Sequence, residues 1–192
     1  MILLLLAAAA GLLAGRVCGG RLRYLAQLRV RTWSLVVAAL AGQTFVGLLP
    51  GDLRPVVIVA VCTCLVVWCM SNLSLEPVAP GMLLLGTGVL ANLVVIAANG
   101  GMPVLAPALG QAGIPRSLDV SRGLLYKHVA MATHHNLSFL GDRFPVDWFH
   151  TVVSAGDLVM LAGIFLVLWG ASRPTRPTRV SLRAGRKVAA TT

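Results

Sequence analysis

The sequence predicts an all-α integral membrane protein: five transmembrane helices, with an external amphipathic helix between the fourth and the fifth. Three observations predict it. Only 11% of the 192 residues are charged and 57% are hydrophobic, with a mean hydropathy of +0.85. A soluble domain carries roughly 25% charged residues. Apolar runs approaching the roughly 20 residues that cross a bilayer recur along the chain. The basic residues are segregated, eleven of the 16 lying between Arg16 and Arg31 or beyond Ser172.

The elements follow in order. The first span covers about residues 1–17. No positive charge precedes it and five arginines follow (Arg16, Arg21, Arg23, Arg29 and Arg31), the reverse of a cleaved signal peptide. Ala7, Gly11, Gly15 and Gly19 recur every fourth residue, a small-residue stripe that lets another helix approach closely. The second span is 33–49, closed by Pro50-Gly51-Asp52, and the third is 55–70. A short polar connection containing Glu76 leads to the fourth, 81–98. The fifth is 150–170, in which Gly156, Gly163 and Gly170 mark one face for close helix packing. The membrane domain is thus 1–171, and 172–192 is a polybasic tail with the composition of a disordered segment.

Arginine and lysine placement sets the orientation. Five spans put the Arg16–Arg31 loop and the tail on one side, which the positive-inside rule makes cytoplasmic. The N-terminus and the stretch 99–149 then lie outside. Trp33, Trp68 and Trp169 fall at cytoplasmic ends and Trp148 at an external one, as interfacial belts require. The net charge of +10 sits beside apolar segments, so its partner is the membrane surface, with anionic lipid at the cytoplasmic face, and not nucleic acid. Cys62, Cys64 and Cys69 lie in one apolar run; Cys62 and Cys69 share a helix face while Cys64 points nearly opposite, so they imply neither a disulfide framework nor a metal site.

The external stretch carries most of the chemistry. Asn99-Gly100-Gly101 is turn chemistry at a helix end. Residues 102–115, punctuated by proline and glycine, read as extended. Residues 117–135 read as the amphipathic helix, with Leu124, Leu125, Val129 and Ala132 at helical spacing. Asn72-Leu-Ser and Asn136-Leu-Ser match the glycosylation pattern, a weak signal.

Asp157 is the most informative residue, because a carboxylate inside a membrane helix is expensive unless it faces protein or water. On a helix beginning at 150, His150, Ser154 and Asp157 share one face, with Asp157 roughly 10 Å inward. Asn92 lies at a similar depth below Asn99, Gln43 below Pro50 and Thr63 below Pro55. These groups define an outward-facing polar layer, the floor of a cavity roofed by the external stretch. Interhelical hydrogen bonding alone is the competing explanation for Asn92, Gln43 and Thr63. The histidines His128, His134, His135 and His150 do not have the i, i+4 spacing of a helical zinc site, so no metal or other cofactor is expected. A Ser/His/Asp set on one helix cannot reach the mutual geometry of a nucleophilic triad.

Gly88-Val-Leu-Ala-Asn92, Asn99-Gly-Gly-Met-Pro-Val104, Leu140-Gly-Asp142 and Ser154-Ala-Gly-Asp157 stand in that order behind an arginine-rich first loop. In these motifs the chain resembles a domain-of-unknown-function family of small multi-pass bacterial membrane proteins, mainly actinobacterial and clostridial. The resemblance covers residues 1–171 and implies a plasma-membrane location. It draws attention to Asn92, Asn99, Asp142 and Asp157 and implies no activity.

The expected function is binding of a lipid headgroup or a partner membrane protein, or self-association, through the polar layer. Its candidate residues are Asp157, Ser154, Asn92, Asn99, Gln43, His150, Asp142 and His135, with no catalysis. One alternative is a small proton- or cation-coupled transporter using Asp157. Another is an outer-leaflet lipid-modifying enzyme with Asp142, His134 or His135 as acid–base groups.

Overall fold

A computed structural model describes residues 2–114, 128–130 and 136–174. The long helices are α1 (Ile2–Val17), α3 (Trp33–Phe45, prolonged by a 3-10 turn at Val46–Leu48), α4 (Leu53–Ser71), α5 (Ala79–Asn99) and α7 (Ala155–Ala171). Two short ones, α2 (Arg23–Gln27) and α6 (Ala106–Gln111), lie in connections. At 19 and 21 residues, α4 and α5 are long and apolar enough to cross a membrane; α1, α3 and α7 are apolar but shorter.

The helices pack as a row, α1–α7–α5–α4–α3. Glycines set the spacing. An added Cβ at Gly81 would meet Val167, at Gly88 it would meet Met160, and at Gly163 it would meet Leu85, so α5 and α7 run antiparallel with their backbones nearly touching. Gly11 abuts Phe165 and Gly15 abuts Ser172, so α1 runs parallel to α7. Ile58 packs with Val95 and Ile96 near one end of the row, and Cys69 with Val78 and Met82 near the other. These contacts make α4 and α5 antiparallel. The outer faces stay apolar: Leu13 is 66% exposed, Leu48 81% and Val56 64%.

One end gathers the arginine-rich loop. Asn72, fully buried, accepts from the Arg31 N–H at 2.8 Å and donates to the Arg31 carbonyl at 3.1 Å and to the Trp68 carbonyl at 2.8 Å. Its amide is thus committed to the fold, which corrects the glycosylation reading of Asn72-Leu-Ser. Beside it, the Arg21 N–H donates to the Ser172 carbonyl at 2.8 Å. On α2, a hydrogen bond from Arg23 draws the exposed Tyr24 hydroxyl below its ordinary pKa. We expect Asn72→Ala to cost about 2 kcal/mol, since it removes three hydrogen bonds to the Arg31 and Trp68 backbone. Limited trypsinolysis after Arg29 and Arg31 should accelerate; an unchanged cleavage rate would contradict the clamp.

The other end carries the 100–153 segment, and here the structure departs from the predicted helices. Gly100 ends α5 at φ 70°, the left-handed conformation that glycine adopts freely. Strand β1 (Met102–Val104) follows, completely buried. It pairs in parallel with β2 (His128–Ala130), with Met102 opposite His128. The predicted amphipathic helix over 117–135 is therefore broken by a strand at 128–130. The rest of that prediction, including His134 and His135, lies outside the described residues. Within the stretch expected to be extended, 106–111 form α6, with Pro107 in the first turn, where a missing N–H costs nothing.

Strand β3 (Phe144–Val146) pairs antiparallel with β4 (Thr151–Val153) through a 3-10 turn at Asp147–Phe149 and His150 in the left-handed region, φ 44°. The fifth apolar run accordingly becomes helical at Ala155, not at His150. The β-branched Thr151-Val-Val153 suits a strand, and a short apolar run cannot be told from helix by hydropathy alone.

Candidate functional site

Three polar side chains meet where α7 begins beside the last turns of α5. Ser154 is the N-cap of α7, extended at φ −90°, ψ 168°. Its Oγ accepts from the Asp157 N–H at 2.9 Å, and the Ser154 N–H donates to Asp157 Oδ2 at 3.1 Å. This is a capping box, and it satisfies N–H groups that a helix start leaves bare. The carboxylate also sits where the helix dipole favours negative charge. Asn92 closes the cluster from α5: its Nδ2 donates to Asp157 Oδ1 at 2.8 Å, and its Oδ1 accepts from Ser154 Oγ at 3.0 Å. Gly156 admits Asn92, for any Cβ there would strike its side-chain oxygen.

This geometry corrects the premise behind Asp157. It is not an acid in mid-helix on one face with Ser154 and His150. It stands in the first turn of α7, Ser154 is the cap, and His150 belongs to the β3–β4 turn. The signal was present in Ser154-Ala-Gly-Asp157, a Ser-x-x-Asp pattern before an apolar run.

Of the predicted polar layer, Asn92 and Asp157 meet and the others stand apart. Thr63 donates to the Val59 carbonyl of its own helix at 2.8 Å, and Gln43 lies on α3, which packs chiefly against α4. Asn99 has a different task. Its Nδ2 donates to the Asn136 carbonyl at 2.9 Å and its Oδ1 accepts from the Asn136 N–H at 3.0 Å, fastening Asn136 to the end of α5. His135 lies outside the described residues.

Asp142 and His150 rejoin Asp157 around a cavity of about 530 Å³. Asp142 is 3% exposed; its N–H donates to the Pro103 carbonyl at 2.8 Å and its carbonyl accepts from the Leu105 N–H at 3.0 Å. His150 Nδ1 faces the Ala112 carbonyl at 3.1 Å. A carbonyl only accepts, so Nδ1 is the donor in that contact. Ile2, Leu4, Met160 and Leu161 give the cavity an apolar wall. The site therefore offers hydrogen-bond acceptors beside hydrocarbon. Among the described residues, no group of three His, Cys, Asp or Glu side chains is placed to hold a metal ion.

Fold and site together define a helical protein with two helices of membrane-crossing length, a capped polar junction and two small two-stranded sheets. The chain belongs to the family of unknown function DUF5317, whose model matches residues 27–169. No curated protein and no solved structure matches it.

Proposed function

We propose that this is a bacterial plasma-membrane protein with five spans that binds the headgroup of an outer-leaflet amphiphile. The 530 Å³ cavity carries the proposal: the His150 ring and the Asp157 carboxylate adjoin an apolar wall. A ligand with amine or hydroxyl donors on a hydrocarbon body complements it.

Several observations support five spans. Helices α1 and α7 run parallel, and α3, α4 and α5 alternate between them, as an odd number of crossings requires. Arg21, Arg31 and Arg173 gather at one end and the cavity lies at the other, which under the positive-inside rule supports an external cavity. The outward apolar faces suit lipid. Helices α1 and α7, of 16 and 17 residues, reach roughly 24–26 Å, which a bilayer accommodates by local thinning and snorkelling of flanking arginines. The basic tail adds attraction to anionic lipid at the cytoplasmic face.

Transport was motivated by Asp157 as a mid-helix acid; as a capping residue it has a sufficient structural reason to be there, so the binding reading is preferred. Native mass spectrometry of protein purified in mild detergent tests it. The wild type should retain a discrete lipid or small amphiphile, and Asp157→Ala should lose it. His150→Gly suits the left-handed backbone and removes only the ring, so it should weaken retention roughly tenfold, about one hydrogen bond's worth. Bare wild-type protein, or equal retention in all three, would refute the binding site.

A further inference from the structure

We propose that a second cavity, at the arginine-rich end, holds the headgroup of a phospholipid bearing both a phosphate and a primary amine. The proposal rests on the five-span reading but not on the outer site. The cavity has a volume of about 670 Å³ and lies between the turn at 18–20, the start of α5 and the end of α7. Its lining includes one residue of each charge, Glu76 and Arg173, with Pro77, Pro80, Trp169 and Pro174.

The two charges are not spent on each other. Among the described residues neither the Arg173 guanidinium nor the Glu76 carboxylate has an ion-pair or hydrogen-bond partner. The guanidinium lies over the Trp169 ring, 3.6 Å from its centroid. Stacking uses the π face and leaves the in-plane N–H groups, the ones that grip phosphate in a two-pronged way, to bond elsewhere.

The wall is rigid. Ser172, 1% exposed, donates from Oγ to the Trp169 carbonyl at 2.7 Å, and its carbonyl accepts from the Arg21 N–H at 2.8 Å. The Arg173 N–H donates to the Gly170 carbonyl at 2.9 Å. Gly15 and Gly20 press against Ser172 so closely that neither tolerates a side chain. The stacked arginine is therefore presented by a fixed turn.

Charge decides the ligand class. A purely anionic headgroup would meet repulsion from Glu76, and a purely cationic one repulsion from Arg173. A phosphate–amine headgroup satisfies both, phosphate on the guanidinium and ammonium on the carboxylate, while the prolines and Trp169 cover the glycerol and upper chains.

The test places the full chain in bilayers of equal phosphatidylethanolamine and phosphatidylglycerol, then reads retained lipid by native mass spectrometry after mild extraction. The wild type should retain phosphatidylethanolamine at least about fivefold over phosphatidylglycerol. Glu76→Gln should equalise the two lipids, and Arg173→Gln should reduce both about tenfold. Arg29→Gln, at the same end but outside the cavity lining, should leave the ratio unchanged. No wild-type preference, or a preference unaffected by Glu76→Gln, would overturn the proposal, whereas displacement of the lipid by excess soluble phosphoethanolamine would support it. Insertion without lipid selection would sink this site alone; failure to enter the bilayer would sink the membrane reading as well.

Discussion

Replacing Gly163 with leucine will cost about 3 kcal/mol, near the upper end of what overpacking costs. The α5–α7 seam is built from backbone against backbone. A Cβ at Gly163 would lie 2.7 Å from Leu85 Cα and 2.9 Å from Leu85 Cβ, and closer still to Leu85 N. A Cβ at Gly81, on the opposing helix, would lie 2.9 Å from the Gly163 carbonyl oxygen. No rotamer change relieves such contacts, because the obstructing atoms belong to the partner helix itself. The helices must separate, and with them go the dispersion contacts that close backbone packing provides. Even Gly163→Ala should cost about 2 kcal/mol on the same grounds. Gly110→Ala is the control, since nothing lies within 4 Å of a Cβ there, and it should stay within about 0.5 kcal/mol of wild type. Far-UV circular dichroism during titration of mixed micelles with dodecyl sulfate gives the midpoints. Similar midpoints for Gly163→Leu and Gly110→Ala would show that the seam is not the determinant of stability.

Loss of the Asn92 amide should cost nearly as much. Asn92→Ala removes the acceptor for Ser154 Oγ and the donor to Asp157 Oδ1 in one step. A hydrogen bond to a charged group contributes roughly 1.5–3 kcal/mol, and a weakened N-cap about 1 kcal/mol more, so a total of about 2.5–4 kcal/mol is expected. The three groups share one network, so effects at Asn92 and Ser154 should not add. A cycle of Asn92→Ala and Ser154→Ala should show a coupling of at least about 1 kcal/mol. Thr63→Ala makes a clean comparison, because its hydroxyl bonds only within its own helix at 2.8 Å. Additive effects at Asn92 and Ser154 would mean that α5 and α7 do not communicate through this amide.

Much of this arrangement was written along the chain. Apolar runs with few charges have little choice but helix wherever their backbone must satisfy itself, and α4 and α5 fall where those runs lie. The seven-residue spacing of Gly156, Gly163 and Gly170 returns nearly to one helix face, and that face meets α5. The Asn99-Gly100 end of α5 is local chemistry, a left-handed glycine after the last turn.

The start of α7 was equally local but was masked by hydropathy. Residues 151–153 are as apolar as the helix that follows, so only the Ser154-x-x-Asp157 cap marks the change from strand to helix. Once that boundary moves, His150 leaves the helix face and Asp157 passes from mid-helix acid to capping residue.

Other features depend on which distant segments meet, and no periodicity carries that information. The row α1–α7–α5–α4–α3 puts Asn92 against Asp157 and leaves Gln43 on a helix that packs chiefly against α4, although all three stand at similar depth. The parallel pairing of 102–104 with 128–130 joins segments well separated along the chain. Asn72 reads as an ordinary loop asparagine until Arg31 is folded onto it, and Arg173 as part of a basic tail until Trp169 is beneath it. The sequence by itself determined the helical class, the glycine faces and the helix caps, because these follow from backbone hydrogen bonding and residue period within a single turn or run. Only the tertiary structure decided the Asn92–Ser154–Asp157 junction and the two cavities, because each is made by side chains from segments that the chain's order alone does not bring together.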